Sequence, residues 1–262
     1  DELIGIPIVR RILRALDSER LRGTVIAVPV VNVFGLVNES RYLPDRRDLN
    51  RSFPGSARGS LASQIARLFM DEVVERCELG IDLHTGASGR TNLPQIRCNS
   101  EDPGTHEAAL AFGAPVVLHA KLRDGSLRAA ADALGVRCLL YEAGEAGRLE
   151  PSAIRQGVRG IQRVMAHLGM IDDEIEAPSS APRSLQKSRW IRAPSSGLIE
   201  LLVELGESVV RGQVLGKVYN LMDERVSLLR SPSSGVIIGY QATAVAHRGD
   251  AILHVGLDPG RP

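Results

Sequence analysis

Leu79-Gly80-Ile81-Asp82-Leu83-His84-Thr85-Gly86 reads as a strand running into a turn. Apolar residues at 79, 81 and 83 alternate with Gly80, Asp82 and His84. Successive side chains of a strand point to opposite faces, so Asp82 and His84 share one face at the strand's end. In α/β sheets, ligands bind beyond the carboxyl ends of the strands. Residues 136–144 form a second apolar run, which ends in a carboxylate, Glu142. A Glu at the tip of a buried strand is costly unless it is paired or used. Residues 114–119 read as a third strand, and the β-branched run 24–31 as a buried one.

Between these runs the spacing turns helical. Apolar residues at 8, 9, 12, 13 and 16 predict a helix behind Asp1-Glu2, two carboxylates whose charge the helix dipole favours; capping alone would explain them. A helix is predicted over 60–74, with Ser60 as cap and Ile65, Leu68, Phe69 and Val73 as its apolar stripe. Further helices are predicted over 108–112, 126–134 and 151–168, the last with Pro151 in its first turn. Strands alternating with helices predict an α/β domain around a largely parallel or mixed sheet.

Residues 32–53 show neither helical nor strand period, and a loop of that length in a compact domain is usually functional. It closes on Asp48-Leu49-Asn50-Arg51-Ser52-Phe53-Pro54-Gly55. An amide beside a planar guanidinium suits a carboxylate, because an Arg fork donates two parallel hydrogen bonds that Lys cannot copy. Pro54 and Gly55 then set the chain's exit. Residues 92–97 follow the first strand as a polar segment that could line the same mouth.

Composition narrows the function classes. A net charge of +1 over 262 residues gives no global field for nucleic acid or an anionic membrane. Aromatics at 3% argue against a stacking platform for single strands. Cys77, Cys98 and Cys138 form no CxxC and cannot all pair, which points to reduced thiols in a cytoplasmic protein. No apolar run reaches the length needed to span a bilayer. The chain opens without Met, inside what reads as a functional loop, so an N-terminal segment carrying further strands is expected upstream.

Residues 172–188 carry the acidic run Asp172-Asp173-Glu174 and a Pro/Ser segment, the chemistry of a linker. Beyond it Ala193-Pro194-Ser195-Ser196-Gly197-Leu198-Ile199 is echoed by Ser231-Pro232-Ser233-Ser234-Gly235-Val236-Ile237. Short strands, Gly turns and an internal repeat predict a small all-β barrel or sandwich over 189–262.

Glu2, the 48–55 segment, His84 and Glu142 together form an ordered set. Over residues 1–171 it resembles the succinylglutamate desuccinylase/aspartoacylase family, which shares the zinc carboxypeptidase fold. That family carries Gly-x-His-Gly-Asp-Glu, Asp-Leu-Asn-Arg, Asp-Leu-His and a late Glu-x-Gly; Asp1-Glu2 matches the tail of the first motif, and the other three are present. The resemblance implies a three-layer α/β domain with a central mixed sheet, missing its N-terminal strands. It implies zinc held by Glu2 and His84, with a third ligand, a His, lying two residues before Asp1 and so outside this sequence. Zinc bound by two imidazoles and a carboxylate keeps a position open for water.

By the same resemblance Glu142 is the general base and then acid, and Asn50 and Arg51 hold the substrate's carboxylate. Arg41, followed by Tyr42, best matches the Arg that neutralises the oxyanion, with Arg46 and Arg47 as rivals. Asp82 either orients His84 or is a structural strand-end residue. The implied activity is release of an acyl group from a small-molecule N-acyl amino acid. A zinc carboxypeptidase acting on a small peptide and a non-catalytic carboxylate-binding module are the alternatives. Residues 189–262 resemble the biotinyl/lipoyl-like barrel of some family members. The hairpin Tyr219-Asn220-Leu221-Met222-Asp223-Glu224-Arg225 lacks the carrier Lys, and Lys217 precedes it on a predicted strand. A lid, a scaffold or a surface for homo-oligomer formation is the more natural role.

Overall fold

The computed structural model describes residues 2–258, so Asp1 of the first motif lies outside the described residues. Six helices are α1 (Gly5–Ala15), α2 (Val33–Val37), α3 (Leu61–Glu72), α4 (Pro103–Phe112), α5 (Leu127–Asp132) and α6 (Pro151–His167). The first four strands are β1 (Leu79–Gly86), β2 (Arg90–Cys98), β3 (Val116–His119) and β4 (Arg137–Glu145). β4 lies parallel to β1 and antiparallel to β2, and β2 is parallel to β3, so the expected mixed α/β sheet is present.

Alternation along the strands divides the two faces. Ile96, Leu139 and Tyr141 pack on one side with Ile4 just before α1, Ile8 of α1, Phe112 of α4 and Ile154 of α6. The register pairs Asp82 with Leu140, His84 with Glu142 and Gln95 with Glu142, so these side chains share the opposite face. Beside them Leu43, Leu49 and Phe53 of the long loop pack on Ala62, Ala66 and Met70 of α3 and on Ala130 and Ala131 of α5.

Five expectations need correction. Residues 24–31 form no strand among the described residues, and Ile26 is 40% exposed. β-branched residues favour extended backbone, but a strand also needs a neighbour to complete its ladder. The buried face of α3 is Ala62, Ala66 and Met70, while Leu68 is 62% exposed and Val73 lies past the helix end. Ile65 and Phe69 pack beside them as expected, so only Leu68 and Val73 fall outside the stripe, and small side chains one turn apart let the helix sit close. Residues 32–53 include the short helix α2, capped by Asn32. The segment 172–188 is not wholly linker: β5 (Arg183–Leu185) adds in parallel to β3, and β6 (Lys187–Arg192) follows. The polar segment 92–97 is itself part of strand β2.

The C-terminal part adds β7 (Gly197–Leu201), β8 (Ser208–Val209), β9 (Val214–Tyr219), β10 (Val226–Arg230), β11 (Gly235–Gln241), β12 (Val245–Ala246) and β13 (Ala251–Leu257). Each copy of the Pro-Ser-Ser-Gly repeat opens a strand, β7 and β11. A four-stranded sheet, β10-β9-β7-β12, faces β6, β11 and β13 across a second core that includes Ile191, Leu215, Val218, Leu229, Ile237 and Val255. This core is separate from the first, yet the sheets are joined. β11 pairs antiparallel with β2, so one nine-stranded sheet runs from β1 to β6.

Candidate active site

The loop after α2 is pinned by its own polar groups. Asp48 caps the turn that follows: its Oδ1 accepts from the Asn50 N–H at 2.9 Å, and its backbone oxygen accepts from the Ser52 hydroxyl at 3.0 Å. The turn leaves through Gly55, whose φ is +81°. A Cβ there would lie 2.2 Å from the Ser63 carbonyl oxygen, so glycine is required by both conformation and space.

This loop delivers Arg41. Its Nε donates to Asp48 Oδ2 and its Nη1 to Glu2 Oε1, each at 3.0 Å. Burial works against the guanidinium's charge, but Asp48 and Glu2 outweigh it and hold its pKa above the ordinary value. Arg46 and Arg47 are exposed, so Arg41 is the arginine that the loop turns inward. Its Nη2 makes no hydrogen bond among the described residues.

Glu2 sits at the centre of the cluster. Its Oε2 accepts from the Thr85 N–H at 3.1 Å and lies 2.7 Å from His84 Nδ1. Burial alone would raise its pKa; His84, the Thr85 N–H and Arg41 together lower it instead. On its other side His84 Nε2 is 2.9 Å from Asp82 Oδ2. Burial disfavours an imidazolium here, yet Asp82 and Glu2 flank it and push the His84 pKa well above its usual value.

Glu142 stands beside His84 on the neighbouring strand. Its Oε2 accepts from Asn92 Nδ2 at 2.6 Å, and Oε1 lies 3.6 Å from Arg97 Nη1. Thus Glu2, Arg41, His84 and Asp82 form one connected cluster, and Glu142 occupies the adjoining strand end. A cavity of about 150 Å³ bordered by Arg128, Arg137 and Cys138 includes none of them.

Asn50 and Arg51 are not joined to this cluster by any hydrogen bond or ion pair among the described residues. Asn50 Oδ1 accepts from the Leu127 N–H at 2.9 Å, which ties the loop to the start of α5. The Asn50 amide nitrogen makes no hydrogen bond among the described residues. Arg51 is exposed, and its hydrogen bond is to the Asn50 carbonyl. Burial and then Arg123 lower its pKa, as expected for a cation whose nearby charges are mostly positive.

Sequence reading left Asp48 without a role and placed Asn92 and Arg97 only within a polar segment that could line the mouth. The Asp-x-Asn spacing is the local signal for an Asx turn. Nothing local marks the grip of Asn92 on Glu142.

The donor set suits a metal at two positions. A carboxylate and an imidazole are zinc ligands, and a carboxylate on the second imidazole nitrogen is the usual way such a ring is oriented. Glu2, His84 and Asp82 stand in that relation. Among the described residues no group of three His, Cys, Asp or Glu side chains is disposed to hold a metal ion.

The chain is similar to known proteins along nearly its whole length. It is 29% identical to the N-alpha-acetyl-L-2,4-diaminobutyric acid deacetylase of Halomonas elongata, with 96% of this chain and 78% of the relative covered. A succinylglutamate desuccinylase/aspartoacylase from Rhodobacter sphaeroides superimposes with a TM-score of 0.87 at 28% identity, covering 98% of this chain and 82% of that one. The product-bound ectoine utilization protein EutE from Ruegeria pomeroyi gives 0.88 at 23% identity over the same shares, a likeness of fold. Residues 1–168 match the succinylglutamate desuccinylase/aspartoacylase catalytic domain, and the chain belongs to that family.

Proposed function

We propose that this chain is the working part of a zinc-dependent amidohydrolase that cleaves the amide bond of a small N-acyl amino acid. The observation that carries the proposal is the joining of Glu2, Arg41 and His84 in one cluster, with Glu142 on the adjoining strand end. Family membership and the similarity to a deacetylase support the same reaction class. A zinc ion held by Glu2, His84 and an upstream His would activate water and polarise the amide carbonyl.

Glu142 takes a proton from the attacking water and delivers it to the leaving amine nitrogen, as base and then acid. Arg41 directs Nη2 at the charge developing on the carbonyl oxygen, while Asp48 and Glu2 fix its plane. Asp82 holds the His84 ring in orientation. The Asn50 amide nitrogen and the Arg51 fork receive the amino acid's carboxylate.

The layering is that of zinc carboxypeptidases over residues 1–171. Residues 189–262 form a barrel-like β domain without a carrier lysine. Lys217 lies within β9 and pairs with Glu200 at 3.4 Å, away from the hairpin tip, which supports that assignment. Among the described residues no helix is long and apolar enough to cross a membrane. All three cysteines are free, which supports a reducing, cytoplasmic setting. The test is to offer the zinc-loaded full-length protein N-acetyl and N-succinyl amino acids alongside dipeptides. Release of free amine from the N-acyl compounds is expected; hydrolysis of the dipeptides alone would replace the proposal with a peptidase.

A further inference from the structure

We infer that the C-terminal β domain is a working part of the catalytic apparatus: Gly239 on β11 lets the Asn92 amide grip Glu142. The inference rests on the assignment of Glu142 as general base.

Asn92 is buried and is the close hydrogen-bond partner of Glu142 among the described residues, at 2.6 Å. Arg97 stands farther off, at 3.6 Å, and its Nε is buried without a partner. The setting of the Glu142 carboxylate therefore falls mainly to Asn92. Asn92 in turn lies directly opposite Gly239 across the β2–β11 ladder, where the two parts of the chain meet. The seam is tied again one residue along, where Gln95 Nε2 donates to the Ile238 carbonyl at 3.0 Å.

A Cβ on residue 239 would sit 2.6 Å from Asn92 Oδ1 and 3.2 Å from the Thr91 carbonyl oxygen. The second contact is tight but tolerable. The first must be relieved, and the atom concerned is the end of a rotatable side chain. Asn92 Oδ1 and Nδ2 belong to one planar amide, so moving the oxygen also moves the nitrogen that holds Glu142. Gly239 is not among the glycines with positive φ, so alanine accepts its backbone and is favoured over glycine on entropy. The cheapest relief of the clash is thus the one that frees the general base. Gly239 and Asn92 are positioning residues, and neither needs to touch the substrate.

The test uses Gly239→Ala, Asn92→Ala and their combination in the full-length protein. Gly239→Ala should lower kcat on the order of 10- to 100-fold, the scale of a misplacement near 1 Å, with KM little changed. Adding it to Asn92→Ala should cost nothing further, because its target is already gone. Wild-type kcat in Gly239→Ala, or losses that multiply in the double variant, would overturn the inference. So would a double variant that fails to fold when Asn92→Ala folds, since that places the clash elsewhere. A crystal structure of Gly239→Ala reads the geometry without turnover. A gap between Asn92 and Glu142 beyond about 3.5 Å is expected, and an intact bond contradicts it. If the wild type hydrolyses no N-acyl amino acid, the proposed function falls, while the crystal structure still decides the positioning.

Discussion

Replacing Arg41 with alanine should destabilise the fold and cripple catalysis together. The guanidinium lies 3.0 Å from both Asp48 and Glu2, with side-chain exposures of 30%, 16% and 15%. Each charge-assisted hydrogen bond contributes about 1.5–3 kcal/mol, and a carboxylate left unpaired in the interior adds a desolvation penalty. Glu2 keeps the Thr85 N–H and His84, and Asp48 keeps the Asn50 N–H, which holds the cost towards the lower end. A loss of about 3–4 kcal/mol lowers the midpoint of thermal unfolding by roughly 6–16 °C in a chain of this size. Arg41→Lys should fall between, since an ammonium offers a point charge in place of a fork that spans two carboxylates. Scanning calorimetry at matched metal loading gives the first number. Steady-state kinetics gives the second, a fall in kcat on the order of 10²–10³ if Nη2 meets the oxyanion. A midpoint within about 1 °C of wild type would refute the two-carboxylate bridge. An unchanged kcat would remove Arg41 from the chemistry.

Three further outcomes follow from the same structure. His254 stacks on Trp190 with centroids 4.4 Å apart, and burial, reinforced by Arg97 and Arg90, pushes its pKa down to about 3. An unfolded His titrates near 6.5, so its share of stability is complete above about pH 6.5 and is lost as pH falls towards 3, by at most about 1.4 kcal/mol per pH unit. His254→Phe should flatten unfolding free energy between about pH 6 and 4, and an identical slope would refute this. Glu142→Gln should abolish turnover while leaving bound zinc unchanged by metal analysis; loss of the zinc would make Glu142 a ligand instead. Arg51→Lys should mainly raise KM, because a bidentate clamp becomes a point charge, and an unchanged KM would take Arg51 out of the substrate site.

Much of the fold was legible wherever local chemistry decides it. β1 and β4 announced themselves as apolar runs ending in His84 and Glu142, and Ser60 does accept from the N–H group at 63, as a cap there requires. The Pro-Ser-Ser-Gly repeat located β7 and β11. What escaped depends on partners distant in sequence. Residues 24–31 have strand composition but no ladder among the described residues, so propensity misled. β5 is three residues long within Pro- and Ser-rich chain, and only β3 makes it a strand. The register of Gly239 on Asn92 joins segments nearly 150 residues apart, and no local pattern encodes it. The site divides in the same way. Its charged residues carried recognisable types and order, whereas the Asn92–Glu142 bond and the double engagement of Arg41 by Asp48 and Glu2 are products of tertiary packing.

The most direct test of the account is amine release from N-acyl amino acids by the full-length protein, measured as isolated, after chelation and after zinc is restored. Turnover that disappears with the metal and returns with about one zinc per chain is predicted. Undiminished turnover after complete metal removal would contradict the assignment of Glu2 and His84 as metal ligands. An absence of hydrolysis in the zinc-loaded protein would contradict the proposed reaction itself.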